Sequence, residues 1–384
     1  MSGTNTGPEA TFRRRSLGET DHRSAPCLAV AGVFVVVARR DGTVTAFEDD
    51  SLESRWTTAT SGRIHELAVC GDVAVVATGC EGTATVAAYA LEDGRRRWQY
   101  DVSPPDGDDV GASRVVALED GATDRLYAAV RRVGDGRRSG TVLAFDRDGR
   151  VRWRYGTDAS PVALAATERG DRLAVGYDRC PGAHDNGLVV LETDAGELAW
   201  TWDPGTAGDR RVSDVAFDGD TVAVASCGDG CGYLLTDGGA ERWRVPFGTE
   251  DGARAPTHAY AHDGRAVFAV EPIEHRDTDH RIVAVDGDGG ALWTASGRGR
   301  IDGFATNGDV LVPRPVGADV DTHAVRRFVL ETGSAEDVRL DGTVTAATVG
   351  EGTIAVIERR RSFSDGETTR AEDTLLVGAV MQQD

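Results

Sequence analysis

Arginine carries every basic charge in this sequence, and several arginines stand in short clusters. All 42 basic residues are Arg. A guanidinium group binds phosphate or carboxylate through two parallel hydrogen bonds, so the clusters predict contact with an anionic ligand or an acidic protein surface. The candidate binding residues are Arg131, Arg132, Arg179, Arg276, Arg359 and Arg360. The alternative is that these arginines pair with the nearby acids Asp135, Asp178, Asp277 and Glu358.

A second set of candidates occupies equivalent positions of a segment that repeats along the chain. These candidates are His65, Arg114, Asp214, His258 and Asp302, and the other three positions hold Pro26, Pro161 and Thr345. Charged groups that converge in a funnel of low dielectric have shifted pKa values and are typical of binding sites. The set predicts a small-ligand or enzymatic site, and the alternative is a polar, water-filled channel mouth.

Three cysteines and one histidine suggest a metal site. Cys180 and His184 fall in one loop, and Cys227 and Cys231 fall in the corresponding loop of the next repeat. Three thiolates and one imidazole suit tetrahedral zinc, although the spacings C-x-x-x-H and C-x-x-x-C differ from the standard C-x-x-C. A structural zinc site is therefore the weaker hypothesis, and scattered reduced thiols are the alternative.

The familiar catalytic motifs are missing from the sequence. It contains no G-x-S-x-G elbow, no Walker A loop, no H-E-x-x-H and no G-x-G-x-x-G between a strand and a helix. We therefore expect a protein that is not an enzyme. The net charge of −21 and the scarcity of aromatic residues in the Arg-rich loops also argue against nucleic-acid binding.

The elements that position these residues come from one repeated phrase, GTVLAFDRDGRVRW at 140–153 in its clearest form. Copies end on Trp56, Trp98, Trp153, Trp200, Trp243 and Trp293, at spacings of 42, 55, 47, 43 and 50 residues. A period of this length is typical of a propeller. Gly and Asp supply the turn between two strands, and we expect each Trp to anchor the outer strand against its blade.

The repeats predict an all-β fold, a single β-propeller of four-stranded antiparallel blades. Each unit from Pro26 onward contains four strands, A to D, but the eighth unit lacks strand D. We expect Ala10–Leu17 to supply it, because closure removes exposed sheet edges. The predicted domain is 10–384, after a flexible 1–9, with eight blades. The alternative is seven blades.

The strand order sorts the loops onto two faces. The A–B and C–D turns are short and acidic, and they lie on one face, here called the A–B/C–D face. The B–C loops hold the clustered arginines, and they share the opposite B–C/D–A face with the starts of the A strands. Since binding residues concentrate on rich loops held by a rigid scaffold, this face predicts a protein-interaction scaffold.

The repeated phrase resembles that of the pyrroloquinoline-quinone-like propellers, from about residue 26 to 380. That family includes quinoprotein alcohol dehydrogenases and outer-membrane assembly lipoproteins. The resemblance implies the propeller fold and leaves function open. Quinone-dependent members usually carry two adjacent cysteines, which this chain lacks, so we expect no pyrroloquinoline quinone. We expect no cofactor other than the zinc of the weaker hypothesis.

The acidic, Lys-free composition resembles β-propeller proteins of haloarchaea in particular. Dense carboxylates stay hydrated in concentrated salt, where repulsion is screened over about 3 Å at 1 M. The alternative is an acidic mesophilic protein.

The apolar run Cys27–Ala38 follows Arg13-Arg14-Arg15, an order that superficially suggests a twin-arginine signal. The run matches the repeat, since CLAVAGVFVVVA aligns with ELAVCGDVAVVA, and it is too short to span a bilayer. We therefore expect a soluble, cytoplasmic monomer without a membrane partner.

Overall fold

Short alternating apolar runs, separated by Gly and Asp turns, fold into antiparallel strands along the whole chain. Alternation places every second side chain on the same sheet face, and the turns close the hairpins. The structure is a computed structural model that describes residues 12–20, 25–80, 82–102, 112–122, 124–134, 137–179, 187–205, 210–248, 253–273, 279–315, 323–350, 352–364 and 367–379. These ranges contain 32 strands and no helix, so no helix in them crosses a membrane.

The first strand of the chain, β1 (Arg13–Glu19), belongs to the last blade. Blade one contains β2 (Cys27–Ala31), β3 (Phe34–Ala38), β4 (Thr43–Glu48) and β5 (Ser54–Ala59). Blade two contains β6 (Arg63–Cys70), β7 (Val73–Cys80), β8 (Thr83–Ala90) and β9 (Arg96–Val102). Blade three contains β10 (Ala112–Gly121), β11 (Arg125–Gly134), β12 (Arg137–Asp146) and β13 (Val151–Thr157). Blade four contains β14 (Ser160–Ala166), β15 (Arg172–Arg179), β16 (Leu188–Glu192) and β17 (Leu198–Trp202).

The second half of the ring repeats this arrangement. Blade five contains β18 (Val212–Asp218), β19 (Thr221–Ser226), β20 (Cys231–Thr236) and β21 (Glu241–Pro246). Blade six contains β22 (Arg254–His262), β23 (Arg265–Pro272), β24 (Asp279–Val285) and β25 (Ala291–Arg298). Blade seven contains β26 (Ile301–Thr306), β27 (Val310–Pro315), β28 (Ala324–Val329) and β29 (Ala335–Arg339). Blade eight contains β30 (Thr343–Val349), β31 (Thr353–Ser364) and β32 (Glu367–Ala379), together with β1.

The blades form a closed ring of eight, which confirms the eight-bladed prediction and makes the seven-bladed alternative wrong. The eight A strands contact one another in a complete circle, so they are innermost. In blade eight, β1 pairs antiparallel with β32, from Arg13 opposite Val377 to Glu19 opposite Glu372. The two ends of the chain therefore share one sheet. The residues 1–9, which the sequence predicts to be flexible, lie outside the described residues.

The hydrophobic core is divided among the interfaces between neighbouring blades. Between blades two and three, for example, Val75 and Val86 pack with Val130 and Phe145. Each sheet is apolar on both faces, because each face meets another blade. This explains why the strands read as nearly continuous Val and Ala runs.

The tryptophans connect each blade to the following one. Trp56 of blade one lies on Gly94 in the C–D turn of blade two, where an added Cβ would come within 2.6 Å of the ring. Its indole nitrogen donates to the Leu91 carbonyl over 2.7 Å. The same Gly contact recurs for Trp98, Trp153, Trp200, Trp243 and Trp293. The sequence-based interpretation placed each Trp against its own blade, and the structure adds that its ring and its hydrogen bond reach the next one.

Two junctions depart from this pattern, and both adjoin blade eight. Blade eight takes its outer strand from the N-terminus, so it has no C–D turn to receive a tryptophan. Blade seven has Asp337 in the tryptophan position, and that carboxylate pairs with Arg326 on the neighbouring strand, at 2.6 and 2.8 Å. At the junction of blades eight and one, Leu52 stands where the other turns have Gly. Leu52 is 2 % exposed and packs with Leu17 of β1, in the absence of a tryptophan.

We predict that Gly94→Ala lowers the free energy of unfolding by about 2–4 kcal/mol, because the new methyl group overlaps the Trp56 ring and the residue has a φ of +70°. Gly264→Ala is the matched control, since Gly264 has a φ of +71° and no atom lies within 4 Å of its Cβ position. Denaturant unfolding of both variants checks the prediction. Equal stability of the two variants would contradict the role of the tryptophan contact.

Candidate functional site

The A strands share an irregularity that recurs from blade to blade, a β-bulge near the start of the strand. Seven of the eight A strands carry one, and only β2 pairs with its neighbour in unbroken register. A bulge inserts one residue and re-aims the side chains beside it. In blade two the inserted residue is His65, so Glu66 is the equivalent of Asp214 and His258. The predicted ring is therefore out of register by one residue in blade two, where it missed Glu66. It is also out of register in blades three and seven, where Ala117 and Phe304 take the equivalent position in place of Arg114 and Asp302.

Three of the five predicted mouth residues share one electrostatic environment. Burial, followed by the positive charges of Arg114, Arg40 and Arg63, lowers the pKa of His65 to about 4. Burial raises the pKa of Glu66 to about 7, and the negative charge of Asp302 adds to this. The guanidinium of Arg314 opposes that rise. His65, Arg114 and Asp302 thus lie in one group, and Glu66, Arg40, Arg63 and Arg314 complete it.

The other two predicted mouth residues form a pair. His258 Nδ1 lies 3.4 Å from Asp214 Oδ2, and the same carboxylate accepts hydrogen bonds from the backbone N–H groups of Val215 and Ala259. His258 Nε2 lies 3.0 Å from the Ile301 carbonyl oxygen. Because a carbonyl oxygen only accepts, Nε2 carries a hydrogen. Asp214 of blade five, His258 of blade six and the Ile301 carbonyl of blade seven are thus connected by side-chain contacts.

The side chains of adjacent clustered arginines lie on opposite faces of their sheet and have different environments. Arg131 of β11 lies directly opposite Arg114 of β10, and no carboxylate in the described part of the chain forms an ion pair with either of them. Arg132, the next residue, is buried between blades two and three, where Nη1 donates to Thr141 Oγ1 over 2.7 Å. Side chains of neighbouring strand residues point to opposite faces, so this Arg-Arg pair cannot bind one ligand together.

The arginines of blade eight lie beside acids. Arg359 is 1 % exposed and pairs with Asp373 through two hydrogen bonds of 2.7 and 2.9 Å, so it belongs to the interior and not to a contact surface. Arg360 is exposed and pairs with Asp341 at 2.6 Å, and its Nε lies 3.6 Å from Glu358. In blade eight, therefore, the arginines pair with neighbouring acids, as the alternative interpretation predicted, and Glu358 is one of those acids.

The predicted zinc ligands are described only in part. Cys180, His184 and Arg276 lie outside the described residues, and Arg179 is described by its backbone in β15 alone. Cys231 is buried, and its sulfur accepts a hydrogen bond from Arg244 Nε at 3.2 Å. No group of three potential metal ligands occurs in the described ranges. The zinc hypothesis stays a prediction, as does the expectation of no quinone.

A cavity that the sequence analysis missed opens on the B–C/D–A face beside blade seven. Its volume is about 210 Å³. Apolar side chains from three blades, including Ile282, Val325 and Val344, form part of its wall, and Arg298 and Arg300 contribute guanidinium groups. The signal in the sequence is the loss of Trp from blade seven, because Asp337 in that position and its partner Arg326 both line the cavity.

Comparisons with known proteins agree with this architecture. A family model described as outer membrane protein assembly factor BamB matches residues 9–177 and 184–312. This match confirms the predicted resemblance to pyrroloquinoline-quinone-like propellers, whereas the resemblance to haloarchaeal proteins stays a prediction. No curated protein matches the chain.

Three solved structures are similar in fold. The computationally designed Ika8 protein is 16% identical, with a TM-score of 0.65 over 94% of this chain and 98% of that chain. BamB from Moraxella catarrhalis is 16% identical, with a TM-score of 0.61 over 95% and 99%. A europium-containing methanol dehydrogenase is 12% identical, with a TM-score of 0.62 over 95% and 93%. At such identities the likeness concerns the fold alone.

Glu119 on the A strand of blade three generates a pH prediction. Burial raises its pKa to about 8, although the Ala166 N–H donates to it over 3.1 Å. The folded protein therefore keeps a proton that the unfolded chain loses above pH 4.5. The stability contributed by this group falls as the pH rises from there to about 8.

We therefore expect Glu119→Gln to raise the melting temperature at pH 9 and to change it little at pH 5. Thermal unfolding at both pH values measures this, with the exposed Glu168→Gln as the control. The same shift at both pH values for Glu119→Gln would show that its carboxyl group ionises normally.

Proposed function

This chain belongs to the family described as outer membrane protein assembly factor BamB, and from this premise we propose that it is a non-enzymatic protein-interaction scaffold. The binding surface in this proposal is the B–C/D–A face, and the partner is a protein with an acidic patch. The family's name describes a factor for the assembly of outer membrane proteins, and the Moraxella catarrhalis neighbour carries the same name, BamB. A propeller suits such a role because its rigid blades hold variable loops in fixed positions.

The observation that carries the proposal is a group of arginines without ion-pair partners in the described part of the chain. Arg63, Arg114 and Arg131 lie at or near the channel mouth on the B–C/D–A face. Arg63 and Arg114 are exposed to solvent. On a protein with a net charge of −21, guanidinium groups without an ion-pair partner form a local site of opposite sign, even though Glu66 and Asp302 lie in the same group. Such a site attracts acidic surfaces and fixes their orientation.

The A–B/C–D face provides the contrast. Several of its arginines have a carboxylate within 4 Å, namely Arg95 with Asp93, Arg97 with Asp72, Arg147 with Asp124, and Arg150 with Asp148. Exposed pairs of this kind add little stability, but they neutralise the local charge. These four arginines are therefore neutralised locally, whereas Arg63, Arg114 and Arg131 have no such partner among the described residues.

The cavity beside blade seven also supports the proposal that the B–C/D–A face is the binding surface. Protein interfaces combine apolar centres with arginine, which is enriched there relative to the rest of the surface. The cavity offers an apolar wall beside Arg298 on the face that also carries the unpaired arginines. A partner with an apolar anchor and acidic neighbours would match both features.

The proposal includes a cytoplasmic location and a monomeric state. The observation that supports the location is that the apolar run after Cys27 forms β2 and β3 of blade one. Residues of that run, such as Val36 and Ala38, are fully buried against blade two. The run is thus part of the propeller core.

A second candidate function is small-ligand binding in the channel mouth, favoured by the group around His65 and Glu66 and by the Asp214–His258 pair. Native mass spectrometry of the purified protein tests it. A bound small molecule that is lost on Glu66→Gln and Asp214→Asn would favour this candidate over the scaffold.

The scaffold proposal predicts that the triple variant Arg63→Gln, Arg114→Gln and Arg131→Gln loses binding partners in pull-down experiments at high salt. Each substitution removes a positive charge that an acidic partner would contact. The matched control is Arg95→Gln, Arg97→Gln and Arg150→Gln, which removes the same charge from the A–B/C–D face.

We expect the control to retain the partners of the wild type. Thermal unfolding of both triple variants verifies that the propeller is intact. Identical partners for the wild type and both variants would overturn the proposal that this face binds.

A further inference from the structure

Arg132 is a buried positive charge without a negative partner among the described residues. Its side chain is 4 % exposed, and its one hydrogen bond there runs from Nη1 to the neutral hydroxyl of Thr141. The Nε atom is buried and has no hydrogen-bond partner in the structure. Arg359 is similarly buried, but Asp373 satisfies it with two charged hydrogen bonds. The same fold thus contains one compensated and one uncompensated interior guanidinium.

An uncompensated interior charge is costly, and proteins normally pair such a charge with a counter-ion. Burial lowers the pKa of Arg132, and the neighbouring guanidinium of Arg154 adds to that effect. Arginine nevertheless stays protonated in proteins. A bound anion would therefore relieve both the burial and the repulsion between the two guanidinium groups.

The groups around Arg132 are suited to an anion. Ser113 and Ser139 lie directly opposite Arg132 on the two neighbouring strands, so a hydroxyl-bearing residue stands on each side of Arg132. The Ser113 hydroxyl is buried and has no hydrogen-bond partner. Arg154 donates to the hydroxyl of Tyr100 from the facing strand of blade two. Hydroxyl and guanidinium groups all donate hydrogen bonds, and no carboxylate of the described residues pairs with Arg132 or Arg154.

We propose that the interface between blades two and three, at the B–C/D–A face, binds a small tetrahedral oxyanion of the phosphate or sulfate class through Arg132, Arg154 and Ser113. The low exposure of Arg132 restricts the site to a small ion. Two guanidinium groups and flanking hydroxyls match several oxygen atoms around one centre better than they match a single chloride. This site needs no protein partner, and it is therefore independent of the scaffold function.

The two competing locations already contain opposite charge. In the cavity beside blade seven, Arg300 pairs with Glu271 at 3.2 Å and Arg326 pairs with Asp337. In the channel mouth, Arg114 and Arg314 act on Glu66 in a group that also includes Asp302. Of these three locations, the surroundings of Arg132 are thus the one where guanidinium charge and an unsatisfied hydroxyl meet without a carboxylate among the described residues.

The test is isothermal titration calorimetry of the full chain, purified in chloride salt, with inorganic phosphate, with sulfate and with adenosine triphosphate as a bulky phosphate. We expect one phosphate or sulfate per chain and much weaker binding of adenosine triphosphate. Arg132→Met should weaken phosphate binding by about ten- to a hundredfold, the effect of losing a charged hydrogen bond. It should also raise the melting temperature in chloride, because it removes the uncompensated charge.

Arg359→Met is the matched control. It should lower the melting temperature, because it leaves Asp373 buried without a partner, and it should leave phosphate affinity unchanged. If Arg132→Met does not fold, Arg154→Met and Ser113→Ala replace it, and both should weaken phosphate binding. The absence of phosphate and sulfate binding to the wild type would overturn the proposal. Unchanged phosphate affinity in the folded variants of Arg132, Arg154 or Ser113, or tighter binding of adenosine triphosphate than of phosphate, would also overturn it.

Discussion

The contact of each tryptophan with the glycine of the following blade determines how the propeller is assembled. A sheet with two apolar faces needs neighbours on both sides, but apolar packing alone does not fix where along the strands the neighbours meet. The indole ring sets that position, because it fits only where the next turn has no side chain. The hydrogen bond from Trp56 to the Leu91 carbonyl adds direction to the contact. The recurring Gly and Trp positions in the sequence thus mark residues that contact each other between consecutive blades.

The closing blade uses polar contacts in place of this arrangement. Arg359 and Asp373 form a buried ion pair within the sheet, and Arg14 of β1 reaches Glu358 at 3.4 Å. On the other side, Leu52 fills space that a glycine would leave empty, at the cost of a φ of 55°. Blade eight thus joins the two ends of the chain through directional charged contacts, which favour one pairing of β1 over others.

The blade pattern could be read from the sequence, whereas the fate of individual side chains could not. Glycine, acidic turns and tryptophan repeat with a period that only a few folds accommodate, so the blades and their approximate limits follow. The arginine pairs show the limit, because Arg131 and Arg132 point to opposite faces and one residue of register decides which is buried. Likewise, the bulge at His65 moved Glu66 into the ring without any local signal in the sequence. The sequence shows which residues are charged. The face on which each charged side chain lies depends on how the strands pair, and that pairing is not visible in the sequence.

The pairing of β1 with β32 has a consequence for synthesis on the ribosome. The first strand is made more than 350 residues before its partner, since Arg13 lies opposite Val377. At about 5–20 residues per second, it waits roughly 20–70 seconds for that partner. During this time an apolar strand would invite pairing with other nascent chains. The sequence of β1 is RRRSLGE, and its first four residues are exposed even in the finished ring. This polar composition keeps the unpaired strand hydrated and disfavours its pairing with other nascent chains.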